Sequence, residues 1–385
     1  MTLPLRVRGI GYDTGFRLEG IAGRPVSSEV VQRELEIIRD DLHCTAVRLI
    51  GNDLDRMESA ARCAADLGLE VWFSPYPMEL GPEELLDMFA DGAERAERIR
   101  RGGAAVVFVA GGELSLFNEG FLPGGSLQER VAGLLQGRPE ARAQLAELPA
   151  HINAFLASAV TVVRERFGGP VTYASIPFER VDWTPFDIVS VDAHRSKEVA
   201  HVYQQGIRAL VAQGKPVAIT EFGCATYRGA TYRGAQGGAI VETDGITPVR
   251  LDGHYVRDEQ EQATYLRELL DVFVAEGVDA AFVCTFIEWH KPHRGDPRED
   301  LDMASTGVVK VLEHRSGDTY PDMGWEPKAA FGTLADCYGG PGGSAMIRPT
   351  SSIDIRARAG TSRRPRSRRA PASRTRRRRR DGWSC

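Results

Sequence analysis

The chain has 385 residues, of which 42% are hydrophobic and 26% are charged, the composition of an ordinary globular protein. Its first residues, MTLPLRVRG, lack the apolar core of a signal peptide, and no apolar run reaches the roughly 18 residues of a membrane helix. Six cysteines occur without a C-x-x-C pair, which argues against a zinc knuckle or a disulfide framework. We therefore expect a soluble, cytoplasmic protein with no membrane partner.

The net charge of −5 conceals a division between an acidic body and a basic tail. From Arg348 onward the chain holds 14 arginines and two acids, which leaves 34 basic and 51 acidic residues before it. Residues 341–385 contain too few large apolar side chains to offset chain entropy, so we expect this tail to be disordered. Its composition fits an arginine arm that binds nucleic acid, or out-of-frame translation of GC-rich DNA, and we favour the second.

Eight apolar, β-branched runs alternate with stretches of helical periodicity. In chain order they cover residues 7–13, 45–51, 70–76, 105–113, 170–175, 187–194, 216–223 and 280–288. The runs are continuously apolar, as strands are when helices cover one face of a parallel sheet and a packed interior covers the other. This alternation predicts a (β/α)8 TIM barrel over residues 1–340, with a doubly wound open sheet as the alternative.

Amphipathic segments between the runs predict the helices of the barrel. The clearest are SSEVVQRELEIIRDDL, with Ser28 as its N-cap, DLDRMESAARCAADLG, PEELLDMFADGAERAERIRR and RDEQEQATYLRELLDVFVAEG. Only a short helix fits between the fifth and sixth runs. The longest insertions follow the fourth, seventh and eighth runs, at the C-terminal face where barrels build their sites.

The stretch GGELSLFNEG contains two glutamates, Glu113 and Glu119, at the end of the fourth run. If residues 104–110 form the buried strand, two glycines then bring the backbone out at the rim and Glu113 emerges there. Glu119 follows LSLFN, which already belongs to a loop or a short helical turn. We therefore favour Glu113 as the rim carboxylate, with Glu119 as the alternative.

A second rim carboxylate, Glu221, ends the seventh run in AITEFG. Retaining glycoside hydrolysis needs two carboxyl groups about 5 Å apart. One is protonated and donates its proton to the leaving oxygen, and the other is ionised and attacks the anomeric carbon. Arg48, in AVRLIG of the second run, carries the permanent charge that would hold one of them ionised. An arginine beside Glu221 and not beside Glu113 would separate the two roles.

The motifs VRLIG, GGE, ITEFG and FIEWH resemble the strand-two, strand-four, strand-seven and strand-eight signatures of glycoside hydrolase clan A, over about residues 5–340. The resemblance implies that Glu113 is the acid/base, Glu221 the nucleophile and Arg48 its partner. It also implies that Trp289 is a sugar platform and that His194 neighbours the nucleophile. The chain as a whole resembles actinobacterial barrel proteins often labelled abortive phage infection protein.

One position departs from the clan pattern, because Gly112 stands where the clan has an asparagine that contacts the sugar 2-hydroxyl. Either the substrate is unusual at that position, or Asn52 or Asn118 replaces the contact, or the chemistry has changed.

Further candidates for substrate contacts are Tyr12 and Asp13 at the end of the first run, and Tyr227 in the tandem ATYRG repeat of residues 225–234. The loop HKPHRGDPREDLDMAS is rich in histidine and aspartate, but we interpret it as a solvated rim loop and expect no metal. Neither a phosphate-binding glycine loop nor a G-x-S-x-G elbow occurs, so we expect no nucleotide cofactor and no serine hydrolase chemistry.

These patterns together predict a cofactor-independent, retaining O-glycoside hydrolase or transglycosidase whose partner is a carbohydrate. One alternative is a catalytically silent barrel with a binding role such as phage defence, which the substitution by Gly112 favours. A nucleic-acid partner is a further alternative, and it depends on the arginine-rich tail alone.

Overall fold

Eight parallel strands form the centre of the computed structural model, which describes residues 5–16, 27–136, 139–244 and 247–339. The strands are hydrogen-bonded in the order β5, β4, β3, β2, β1, β10, β7, β6, and a parallel bridge between Ser175 and Val191 joins the two ends. Their bounds are β1 Val7–Asp13, β2 Ala46–Gly51, β3 Glu70–Pro75, β4 Val106–Gly112, β5 Val171–Ala174, β6 Val189–Asp192, β7 Val217–Phe222 and β10 Ala280–Val283. The predicted TIM barrel is confirmed, and each strand falls within one of the eight runs. The predicted tail and its boundary at residue 340 lie outside the described residues and remain predictions.

Helices surround the barrel. They are α1 Ser28–Asp40, α2 Leu54–Asp66, α3 Pro82–Arg101, α4 Leu114–Phe117, α5 Leu127–Leu135, α6 Pro139–Arg164, α7 Tyr203–Val211, α8 Glu259–Glu276 and α9 Ala329–Gly339. The side chain of Ser27 accepts a hydrogen bond from the backbone of Val30, so Ser27 is the N-cap of α1 and the prediction of Ser28 was one residue late. Between β5 and β6 the chain makes only a short 3-10 turn, Pro177–Glu179.

The insertions at the C-terminal face have more structure than the sequence indicated. After β4 come α4, α5 and the first part of α6; after β7 come two 3-10 turns and the hairpin of β8 Val241–Asp244 with β9 Thr247–Leu251. After β10, β11 Val309–Val311 pairs antiparallel with β12 Trp325–Pro327. Judged by length and composition alone, Arg142–Arg164 of α6 is long and apolar enough to cross a membrane. The expectation that no apolar run reaches the length of a membrane helix was wrong on that criterion. Only 33% of the most apolar stretch of α6 is buried, and Leu148, Ile152 and Leu156 on its inner side belong to the core.

The barrel interior is filled by side chains from its strands. Trp72 of β3 and Phe282 of β10 pack in the centre with their ring centroids 4.7 Å apart. A Cβ on Gly9 of β1 would lie 2.2 Å from the ring of Phe282, so only glycine leaves room for that ring. Arg48 follows Ala46 of the interior layer by two positions on β2, and it therefore also faces into the barrel, one layer nearer the C-terminal mouth.

Replacement of Gly9 by alanine should destabilise the barrel by about 1–3 kcal/mol, because the new methyl group cannot share space with Phe282. Gly332 in α9 is the matched control: nothing lies within 4 Å of its Cβ position, so Gly332→Ala should stabilise by roughly 0.4–1 kcal/mol. Urea unfolding measures both changes. Equal stability of the two variants would contradict the packing described for the barrel centre.

Candidate active site

Arg48 is fully buried and its guanidinium lies across the mouth of the barrel. Its Nη1 donates to Glu221 Oε1 at 2.8 Å and to the carbonyl of Thr220 at 3.1 Å, and its Nε donates to Ser74 Oγ at 3.2 Å. The same Nη1 lies 3.7 Å from Asp192 Oδ1. One cation thus connects strands β2, β3, β6 and β7.

An irregularity in β7 turns Glu221 toward this cation. The pairing of β6 with β7 passes from Val191 opposite Ile219 directly to Asp192 opposite Glu221, so β7 holds one extra residue there. The pairing of β7 with β10 is also shifted at this level. Such a bulge bends a strand and redirects its side chains, which brings Glu221 beside Arg48.

A different irregularity places Glu113, the first residue after β4. Its backbone is left-handed, with φ 45° and ψ 39°, a conformation that non-glycine residues seldom adopt outside special sites. The buried carboxylate of Glu179 supports the turn: it accepts from the hydroxyls of Ser115 and Tyr173, and Tyr173 in turn accepts from the backbone of Leu114. The turn that carries Glu113 is therefore fixed by buried hydrogen bonds.

Three carboxylates converge at the mouth. One oxygen each of Glu113, Asp192 and Glu221 lies within 4.8 Å of one oxygen of both others. Glu119, the alternative to Glu113, is exposed and lies beyond α4. The predicted pair Glu113 and Glu221 is thus brought together, with one oxygen of each within 4.8 Å of the other. Retaining glycosidases hold their two carboxyl groups about 5–5.5 Å apart, and inverting enzymes about 6.5–9.5 Å apart.

The surroundings favour the ionised form of Glu221. Burial opposes ionisation, but the charges of Arg48 and His194 outweigh it and lower the pKa of Glu221 to about 2. His194 Nδ1 lies 2.9 Å from the carbonyl oxygen of Gly223 and must donate to it, which leaves Nε2 facing Glu221 Oε2 at 3.8 Å. His194, at the end of β6, therefore lies beside Glu221, as the resemblance implied.

The surroundings favour the protonated form of Glu113. Burial, followed by the negative charges of Asp192, Glu221 and Glu179, raises its pKa well above the usual value, and the more distant Arg48 offsets this only in part. The surroundings of Glu221 thus favour a charged carboxylate, whereas those of Glu113 favour a carboxyl group that keeps its proton.

The sequence analysis missed two residues of the site, Asp192 and Tyr76. Asp192 is the last residue of β6, two positions before His194, and this periodicity was the available signal. Tyr76 follows β3, and its pKa is raised by burial and by the nearby charges of Glu113 and Glu221. Tyr76 ends the third apolar run, and Asp192 lies near the end of the sixth.

The space beside Gly112 is occupied by Tyr76. A Cβ at position 112 would lie 2.9 Å from Tyr76 Cε2 and 3.1 Å from Arg48 Nη2, so an asparagine does not fit unless these groups move. Asn118 does not replace it, because it is buried and its side chain bonds to the backbone of Pro77 and Leu80. Asn52 is half-buried directly after β2, at the same end of the barrel.

The remaining predicted contacts divide into buried and rim residues. Tyr12 is 1% exposed and its hydroxyl donates to Glu34 in the outer core, and Tyr227 is buried edge-on against Tyr255, so neither is placed as an open substrate contact. Asp13 ends β1 at the rim, where burial and the charge of Glu288 raise its pKa to about 6. Half-buried Trp289 follows Glu288, again at the rim.

The histidine- and aspartate-rich loop after β10 is occupied by ion pairs. Asp300 accepts from Arg257 and lies 2.9 Å from His293, while Asp302 binds Arg257 and the buried Lys328. Asp300 and Asp302 are therefore paired with protein cations. Among the described residues, ligand atoms converge closely enough for a metal at the three carboxylates and at His194, Glu221 and Cys284, yet Arg48 already supplies a positive charge there.

Neither a protein-family model nor a curated protein matches the sequence. Solved structures do match the fold. A GH113 beta-1,4-mannanase superposes with a TM-score of 0.53 at 14% identity, over 87% of this chain and 99% of that one. GH113 beta-mannanase AaManA from Alicyclobacillus acidocaldarius gives 0.52 at 16% identity, over 88% and 98% of the two chains. A calcium-binding mutant of Bacteroides uniformis beta-glucuronidase 2 gives 0.50 at 14% identity, over 80% of this chain and 33% of that chain. Likeness at this level shows the fold alone: this chain shares the TIM-barrel fold of these solved structures.

Proposed function

We propose that the protein is a retaining O-glycoside hydrolase or transglycosidase that acts on a carbohydrate. The observation that carries this proposal is the pair Glu113 and Glu221, with carboxylate oxygens within 4.8 Å of each other and environments that favour opposite protonation states. The fold adds support by analogy only, because TIM barrels host many chemistries.

In the first step, the ionised carboxylate of Glu221 attacks the anomeric carbon and forms a glycosyl ester. The bond from that carbon to the glycosidic oxygen breaks, and Glu113 gives its proton to the departing oxygen. In the second step, Glu113 takes a proton from water, or from an acceptor sugar in transglycosylation, as that oxygen displaces Glu221. Each step leaves the enzyme with the protonation state that the next one needs.

The other rim residues have supporting roles in this proposal. Arg48 and His194 orient Glu221 and hold it ionised, and Trp289 supplies an apolar ring face for a sugar. Asn52, directly after β2, and Asp13, at the end of β1, lie at the same face, and we assign them contacts with sugar hydroxyls. Because Gly112 offers no amide, we assign the contact near the 2-position to Tyr76, whose ring occupies that space.

Incubation with 2-deoxy-2-fluoro glycosyl fluorides tests the covalent step. The panel includes mannosyl, glucosyl and glucuronyl fluorides, since the similar structures include β-mannanases and a β-glucuronidase. We expect intact-protein mass spectrometry to show one glycosyl adduct in the wild type and none in Glu221→Ala. An adduct that persists in Glu221→Ala would show that another residue is the nucleophile; no adduct from any sugar would favour the silent barrel.

Glu113→Gln should lower kcat/KM by about 10²–10⁴-fold for substrates with a poor leaving group, because no acid then protonates the departing oxygen. An activated aryl glycoside needs little protonation, so its first step should be nearly unaffected. Glu119→Gln is the matched control, since it makes the same substitution at an exposed position in the same stretch. A comparable loss in Glu119→Gln would reverse the assignment.

The pH dependence of kcat/KM should follow the two environments. Glu113 acts only when protonated, so activity is complete below its raised pKa and is lost as the pH rises through that value. Glu221 acts only when ionised, and with its pKa near 2 it should limit activity only at very acidic pH. A rate profile with an acidic limb at about pH 4, where an unperturbed glutamate titrates, would contradict the ion pair with Arg48.

A further inference from the structure

Asp192 is a third carboxylate in the site, and the two-glutamate mechanism gives it no task. Its side chain is buried, and its backbone amide donates to the carbonyl of Ser175 at 2.8 Å where β5 and β6 close the barrel. Its position is therefore set by the barrel itself rather than by a loop. An ionisable group buried at the closure of a barrel is costly unless its charge has a partner.

Asp192 shares its positively charged partner, Arg48, with Glu221. Arg48 Nη1 is 2.8 Å from Glu221 Oε1 but 3.7 Å from Asp192 Oδ1, so Glu221 takes the hydrogen bond and Asp192 receives the weaker part of the charge. Burial and the charge of Glu221 consequently outweigh Arg48 and raise the pKa of Asp192 to about 7. The charge of Asp192 is thus less well compensated than that of Glu221, and one Asp192 oxygen lies within 4.8 Å of an oxygen of Glu113.

Every barrel strand beside this cluster contributes a charged or titratable group. Those that act on Glu113 or Asp192 are Arg48 from β2, Tyr76 after β3, Glu179 after β5, His194 after β6 and Glu221 from β7. The charge of Arg48 lowers the pKa of both residues. Among the negative charges that raise the pKa of Glu113, the charge of Asp192 has the largest effect.

We propose that Asp192 is a positioning residue for both glutamates: its negative charge keeps the proton on Glu113, and its carboxylate holds Arg48 in place when Glu221 is esterified. The first part follows from three carboxylate oxygens within 4.8 Å and only one arginine among them. The second part rests on the proposed function. Ester formation removes the charge of Glu221, and Asp192 is then the carboxylate that remains in ion-pair range of Arg48.

The first part can be tested on the free protein without a substrate. Carbon-13 NMR of the side-chain carboxyl groups follows the titration of Glu113, whose signal is assigned by its loss in Glu113→Gln. In Asp192→Asn the titration of Glu113 should move to lower pH, because the neighbouring negative charge is gone while Arg48 remains. Asp192→Glu keeps the charge and should restore part of the shift.

Asp187→Asn is the matched control, because Asp187 lies just before the same strand but at its opposite end, where it pairs with Arg164. It should leave the titration of Glu113 unchanged. An unchanged titration in Asp192→Asn would overturn the proposal, as would an equal shift in Asp187→Asn.

The wild-type protein provides a measurement that does not depend on a variant that folds. If the two carboxyl groups are coupled, their signals must share inflections, each showing a step at the pH where the other titrates. Independent single-step titrations would overturn the proposal. The trapping experiment could fail while the two carboxyl groups still share inflections. That result would reject the glycosidase proposal and leave the coupling of Asp192 to Glu113 in place.

The second part is tested in the trapped glycosyl-enzyme. The carbon-13 titration of Asp192 should shift to lower pH after trapping. The charge of Glu221 is then absent, and Asp192 is the carboxylate that pairs with Arg48. An Asp192 titration that is the same before and after trapping would overturn this part while leaving the first intact.

Discussion

The buried guanidinium of Arg48 is the interaction on which the arrangement of the site depends. A charge in the interior costs several kcal/mol unless its hydrogen bonds are made and a counter-charge is near. Ser74, the carbonyl of Thr220 and Glu221 satisfy two of its nitrogens, and Asp192 adds a second negative charge. Because Arg48 and these groups come from four strands, the barrel must be closed in the correct register before these contacts form.

The same cation divides the carboxylates by distance. Glu221 is within hydrogen-bond distance of Arg48, Asp192 is farther away, and Glu113 is influenced mostly by burial and by the two other acids. The pKa of Glu221 is lowered to about 2, whereas the pKa values of Asp192 and Glu113 are raised. Proximity to one fixed charge thus favours the ionised form of Glu221, while burial and the neighbouring acids favour the protonated form of Glu113.

Two local departures from regular strand geometry make this possible. A regular strand alternates its side chains, so a residue next to an inward-facing one points to the helices. The bulge near Thr220 brings Glu221 inward, and the left-handed backbone at Glu113 turns its side chain after β4 ends. The hydrogen bonds of Glu179 support the second departure, so that strain at the site is balanced by a buried polar network behind it.

Packing also constrains position 112, where this chain has glycine. Tyr76 lies where a side chain at position 112 would be. The glycine at the end of β4 is therefore matched by a large residue directly after the neighbouring strand β3. Its ring further contacts Phe117 and Phe16 edge-on. An aromatic ring therefore fills the space beside Gly112.

The amino-acid sequence by itself determined the barrel and the identity of Arg48, Glu113 and Glu221 as rim residues, because apolar runs and strand ends are local properties of the chain. It could not show that Glu113 and Glu221 lie within 4.8 Å or that Arg48 contacts only one of them, since these distances follow from register and closure. Nor could it show that Tyr12 and Tyr227 are buried, because their neighbours Glu34 and Tyr255 are distant in sequence. Asp192 was hidden for the same reason: a carboxylate at a strand end acquires its role only from the charges that the tertiary structure brings beside it.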